Sequence, residues 1–197
     1  MLDILSIMTK NKGYARLEEF KKESIHSRII AKAVADGIIT KIKPGLYKLV
    51  DYTWDELSNF ADISLANKSA VLCLASASEY YGLTTYTPSI VSIALPHNSI
   101  NFKLDYPPVK VYYFSETQYK TGLDKIKTDS GIIKIYNQEK TVVDLFRYKN
   151  KLEEDIFIES LKNYLKNSNR DINKLTEYST ILKVINKILP YIKAITG

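Results

Sequence analysis

Residues 24–50 read SIHSRIIAKAVADGIITKIKPGLYKLV, and a change of period inside this stretch decides the fold. Up to Asp36 the apolar residues fall at helical spacing. Ile29, Ile30, Ala33 and Val34 share one arc of a 3.6-residue helix and are expected to face a core. Ser24 stands at the N-cap position and Gly37 at the C-cap. Beyond Gly37 the pattern becomes that of strands: Ile38–Lys43 and Leu46–Val50 flank the turn pair Pro44-Gly45. With those two residues as the loop, Lys43 pairs with Leu46, Ile42 with Tyr47 and Lys41 with Lys48. Thr40, Ile42, Tyr47 and Leu49 then face inward, and Lys41, Lys43 and Lys48 outward. A two-residue loop prefers a primed turn, which Pro44 cannot adopt, so the register is open to a shift of one or two residues.

Upstream, Leu2, Ile4, Leu5 and Met8 predict a first helix ending near Lys12-Gly13. Tyr14 to Lys22 predicts a second, short amphipathic helix with Ala15, Leu17 and Phe20 inward. Three helices followed by a two-stranded hairpin make the winged helix-turn-helix plan, in which the third helix enters the major groove. Its outer arc carries Ser27, Arg28, Ala31, Lys32 and Ala35. Arg28 and Lys32 are neighbours at i, i+4, and the small residues between them allow close approach to base edges. Like charges opposed across the hairpin are unfavourable unless a polyanion lies along them. The residues expected to contact DNA are Arg16, His26, Ser27, Arg28, Lys32, Lys41, Lys43 and Lys48. His26 would contribute when charged. Charge distribution agrees: the first 50 residues hold ten basic side chains against Asp3, Glu18, Glu19, Glu23 and Asp36, and the whole chain carries +6.

The expected fold class is α+β: a winged helix-turn-helix over 1–52, then a larger mixed α/β domain over 53–197. Thr53 and Glu56 have capping-box spacing and open a helix through about Leu65. A helix apolar nearly all round is expected from about Lys68 to Tyr81, then strands over Ile90–Leu95, Val109–Phe114 and Ile132–Tyr136. Helices return over Gln138–Tyr148, Leu152–Leu165 and the stretch Ile172–Ile195. The one cysteine, Cys73, lies in an apolar run and reads as a buried small hydrophobe. No stretch approaches a membrane span and no basic-then-apolar leader is present, so a cytoplasmic protein is expected. The phosphate-loop, dinucleotide, zinc-protease and nucleophile-elbow motifs are absent. With His26 and His97 as the only histidines, no metal, cofactor or catalytic residue is expected. Glu153, Glu154, Asp155 and Glu159 read as the solvated face of one helix, and Asp144 and Arg147 as a local pair.

Several motifs together resemble the AbiEi family, the antitoxins of type IV toxin–antitoxin pairs. In the first domain these are Gly13-Tyr14-Ala15, Ala33-Val34-Ala35-Asp36-Gly37-Ile38-Ile39 and Lys41-Ile42-Lys43-Pro44-Gly45-Leu46-Tyr47. In the second they are residues 75–83 (ASASEYYGL), 90–96 (IVSIALP) and 136–145 (YNQEKTVVDL). The resemblance implies a first domain that binds repeats in its own operon's double-stranded promoter and represses it. It implies a second domain that counters a cognate AbiEii-type toxin similar to nucleotidyltransferases, whether or not the two proteins touch. The chain lacks the Gly-Ser pair followed by D-x-D carboxylates that such a transferase needs, so it is the antitoxin side of the pair that it resembles. The competing expectation is an ordinary winged-helix repressor whose second domain senses a small ligand.

Overall fold

The computed structural model describes residues 2–52, 57–152 and 155–196. It is an α+β chain that divides into two compact units: residues 1–68 with the segments 103–107 and 127–132, and the remainder. The capping pair Thr53–Glu56 and the acidic residues Glu153 and Glu154 lie outside the described residues.

The first unit has the winged helix-turn-helix order. Helices α1 (Leu2–Lys10), α2 (Leu17–Lys22) and α3 (Ser27–Ala35) precede strands β2 (Ile39–Lys43) and β3 (Leu46–Leu49). Their core is Ile4, Met8, Ala15, Phe20, Ile25, Ile30, Ala33, Ile39 and Leu49. Four local expectations are corrected. Residues Tyr14–Arg16 form a strand, β1, instead of opening the second helix; they pair with Lys48, Tyr47 and Leu46 of β3. Strand pairing there satisfies backbone groups that a frayed first turn would leave open. The third helix starts at Ser27, with His26 at its N-cap, because Ser24 adopts a left-handed φ of 56°. Its buried residues are Ile30 and Ala33, while Ile29 and Val34 are 43% and 37% exposed. A nine-residue helix set on so small a core buries only a narrow stripe. In the hairpin, Lys43 pairs with Leu46 as expected, but a bulge at Ile42 then shifts the register, so that Lys41 faces Tyr47 and Thr40 faces Lys48. Gly45 takes a φ of 81°, as the second central residue after Pro in a type II turn does. That turn splays the strands, and the bulge restores their twist. Ile39, Ile42, Leu46 and Leu49 thereby become the inward set, and Thr40 points outward.

Packing carries the first unit past residue 52 to Lys68. Helix α4 (Ser58–Ala66) buries Ala61, Asp62, Ile63 and Ala66, and the strand side chains of Tyr14, Arg16, Lys43 and Lys48 bond to it.

The second unit is built on a five-stranded mixed sheet ordered β6-β5-β4-β8-β7, of which only residues 127–132, at the turn between the last two strands in the chain, are counted with the first unit. The strands are β4 (Val71–Leu72), β5 (Val91–Pro96), β6 (Val109–Phe114), β7 (Leu123–Thr128) and β8 (Gly131–Tyr136). The helix expected over 68–81 is shorter, α5 (Leu74–Tyr80), because Val71 and Leu72 form the central strand. They pair with Ala94 and Ile93 on one side, and Leu72 with Ile135 on the other. A run buried all round does not distinguish a strand from a helix by periodicity. Strand β7 is an unforeseen edge strand whose Asp124, Lys125 and Lys127 are exposed, which suits an unpaired edge. The short helix α6 (Glu116–Lys120) precedes it, capped by Ser115. Helix α7 (Gln138–Tyr148) is buried continuously from Glu139 to Phe146. Around it pack α8 (Ile156–Lys166) and α9 (Ile172–Ile181), and the chain ends in α10 (Ile185–Thr196). The break between the last two falls at Lys183, whose φ is 59°. Cys73 is fully buried, as expected.

Candidate nucleic-acid interface

The geometry separates the eight residues expected at DNA into two groups. His26, Ser27, Arg28 and Lys32 are exposed on α3, and Lys41 is exposed on β2. Among the described residues Arg28, Lys32 and Lys41 make no hydrogen bond or ion pair, so their charges face solvent uncompensated. Ala31 and Ala35 lie exposed beside them. The outward Ile29 and Val34 add apolar surface of the kind that meets thymine methyl groups in a major groove. The surface therefore combines two cations four residues apart, small side chains and apolar flanks on one nine-residue helix.

Arg16, Lys43 and Lys48 are placed differently. The Arg16 guanidinium donates to the carbonyl of Leu65 at 3.1 Å, and the Lys43 ammonium donates to the carbonyl of Ala66. These carbonyls belong to the last turn of α4, where backbone acceptors lack helical partners and the peptide dipoles end negative. Two cations from the sheet thus cap that helix. Lys48 reaches one turn further back and pairs with Asp62 at 2.6 Å. The other carboxylate oxygen of Asp62 accepts from the Tyr14 hydroxyl at 2.8 Å. Burial pushes the Asp62 carboxyl above its usual range, while the bonds from Lys48 and Tyr14 pull it back down. The like charges along the hairpin, which sequence reasoning assigned to a polyanion, are relieved in part by an internal carboxylate and a helix end. Asp62 was the missed residue. Its signal was present as a lone acid between Ala61 and Ile63 in an apolar run.

Among the described residues the second unit holds one ion pair that is fully buried. Lys140 and Asp144 form a salt bridge one turn apart on α7, and neither has any exposed side-chain surface. The Lys140 ammonium lies 4.1 Å from the Tyr136 ring centroid and 5.0 Å from that of Phe114. Gln118 donates to Asp144 at 3.3 Å. Burial drives the two partners in opposite directions, Asp144 upward and Lys140 downward. Gly122 packs against the stem of Lys140: a Cβ at that glycine would sit 2.5 Å from the Lys140 Cβ. The pair fills the core and has no exposed side-chain surface. Asp144 takes Lys140 in place of the Arg147 partner expected from sequence.

No family model and no curated protein matches the sequence. Among solved structures, the chain is similar to the crystal structure of the RV2827C protein from Mycobacterium tuberculosis, at 11% identity and a TM-score of 0.62. The alignment covers 96% of this chain and 79% of that one. At this identity the likeness is one of fold.

Proposed function

We propose that this chain is a DNA-binding autorepressor and the antitoxin partner of a nucleotidyltransferase-like toxin. The observation that carries the first part is the outward face of α3, where Arg28 and Lys32 stand exposed among small side chains and make no ion pair among the described residues. Arg at such a position bonds a guanine edge in a double-stranded promoter, and Lys a base edge or phosphate. Lys41 on the wing approaches the adjacent backbone. The antitoxin role draws on the resemblance to the AbiEi family, and it assigns neutralisation to the second unit. No catalytic residue and no cofactor takes part in either task, and the site of action is the cytoplasm. No described helix is long and apolar enough to cross a membrane.

The test uses the full chain carrying Arg28→Ala and Lys32→Ala together, co-expressed with the product of the adjacent gene. Promoter repression is expected to be lost while growth rescue is retained. Loss of both activities, or of neither, would overturn the division of labour. A second reading, a repressor whose larger unit senses a small ligand, is favoured by an open groove of about 570 Å³ beside the end of α7. A neighbouring metabolic gene in place of a toxin gene would select it.

A further inference from the structure

The groove of about 570 Å³ lies wholly within the second unit, and its walls share one sign of charge. Arg147 comes from the end of α7, Lys149 from the single turn that follows it (Lys149–Lys151), and Lys187 from the first turn of α10. No carboxylate lines the groove among the described residues. Arg147 and Lys187 are exposed and make no hydrogen bond or ion pair among those residues. Lys149 is held in place. Its ammonium donates to the Tyr191 hydroxyl at 2.7 Å and sits 4.7 Å from the Tyr191 ring centroid and 5.0 Å from that of Phe146. Those two rings meet edge to face at 5.7 Å, and Phe157 packs on both, so the floor beneath the lysine is a rigid aromatic cluster.

Three cations gathered on one concave surface repel one another unless an anion joins them. The Lys187 turn adds the positive end of the α10 peptide dipoles. The rest of the wall is not ionic. Leu182 and Val184 offer an apolar surface, and the Asn150 amide offers both a donor and an acceptor. The volume falls in the range of small-molecule sites. A simple inorganic anion would leave the apolar wall and the amide without partners. A ligand with a polyanionic tail and a flat heterocycle uses all of them.

We propose that this groove binds a nucleoside triphosphate, with the phosphates on Arg147, Lys149 and Lys187 and the base against Leu182 and Val184 within reach of Asn150. The proposal is independent of DNA reading by α3, because every residue it names belongs to the second unit.

Isothermal titration of the full chain with ATP, GTP, CTP and UTP at fixed ionic strength tests it. At least one nucleotide is expected to bind. Arg147→Ala and Lys187→Ala are each expected to weaken that binding by roughly tenfold, the usual effect of losing a charge-assisted hydrogen bond. Both residues are exposed and make no hydrogen bond or ion pair among the described residues, so each variant without nucleotide should remain folded, with a thermal midpoint close to that of the wild type. The variant carrying Arg28→Ala and Lys32→Ala should bind as the wild type does, which separates this site from the DNA-reading helix. Three results would overturn the proposal: no binding at millimolar nucleotide, inorganic triphosphate binding as tightly as any nucleotide, or binding confined to single-stranded RNA.

Discussion

Arg28 and Lys32 on α3 and Lys43 and Lys48 on the wing look alike in the sequence, yet they occupy opposite environments. Among the described residues, the first two project into solvent without a hydrogen bond or ion pair. The second two turn onto α4, one to a helix-terminal carbonyl and one to the carboxylate of Asp62. The difference teaches that a count of basic residues overstates a nucleic-acid footprint. A lysine on a sheet face has a long enough stem to serve a neighbouring helix, and it does so wherever a buried acid or an open helix end lies within reach. The charge left for any polyanion is what remains after these internal demands are met.

The sharpest way to break the contrast is to remove Lys48. Lys48→Ala strands the Asp62 carboxylate at 1% exposure and is expected to cost about 2–3 kcal/mol of stability at neutral pH, measured by denaturant unfolding. The deficit should shrink on acidification. Burial raises the folded-state pKa of Asp62 above its unfolded value, and removing Lys48 raises it further. Between the two values the folded state holds more protons than the unfolded state, so stability falls as pH rises through that window and recovers as pH falls. A deficit that stays constant with pH would mean that Asp62 does not depend on Lys48.

The next largest effect belongs to α3. Arg28→Ala and Lys32→Ala should each weaken operator binding by about 1–3 kcal/mol in a gel-shift titration at fixed salt, with no change in melting temperature. Unchanged affinity would move the reading face elsewhere. Smaller still, Arg16→Ala and Lys43→Ala should each cost about 1 kcal/mol of stability by uncapping α4, with little change in DNA affinity once the variants are folded. A large loss of affinity with no loss of stability would return these residues to the interface. Lys41→Ala should leave stability alone, weaken operator and random DNA equally, and reduce the slope of log affinity against log salt by about one. An unaltered slope would mean that the wing does not touch the backbone.

Much of this arrangement was legible in the sequence. The three-helix order, the Pro44-Gly45 hairpin, the buried Cys73 and the outward cations of α3 follow from spacing and turn chemistry, which act over a few residues. The bulge at Ile42 was less legible, because it depends on how a type II turn joins two twisted strands. The strand at Val71–Leu72 was hidden because a segment covered on every side shows no period. Edge strand β7 was hidden for the opposite reason, since its exposed charges read as a loop. Aromatic and cationic residues such as Lys149 and Tyr191 are 42 positions apart, and local pattern does not signal that they meet.

The sequence by itself determined the three-helix-and-hairpin order of the first unit, though not strand β1, together with the helix that bears Arg28 and Lys32 and the excess of positive charge. Each of these depends on local periodicity, turn residues or composition. Only the tertiary structure decided which cations remain free. Asp62 and the last carbonyls of α4 draw Lys48, Lys43 and Arg16 inward, and the folding of α7 against the elements that follow it gathers Arg147, Lys149 and Lys187 around one groove. The physical reason is range. A backbone preference is settled within a turn or a hairpin, whereas the partner of a charge is set by whatever the fold brings within a few ångströms of it.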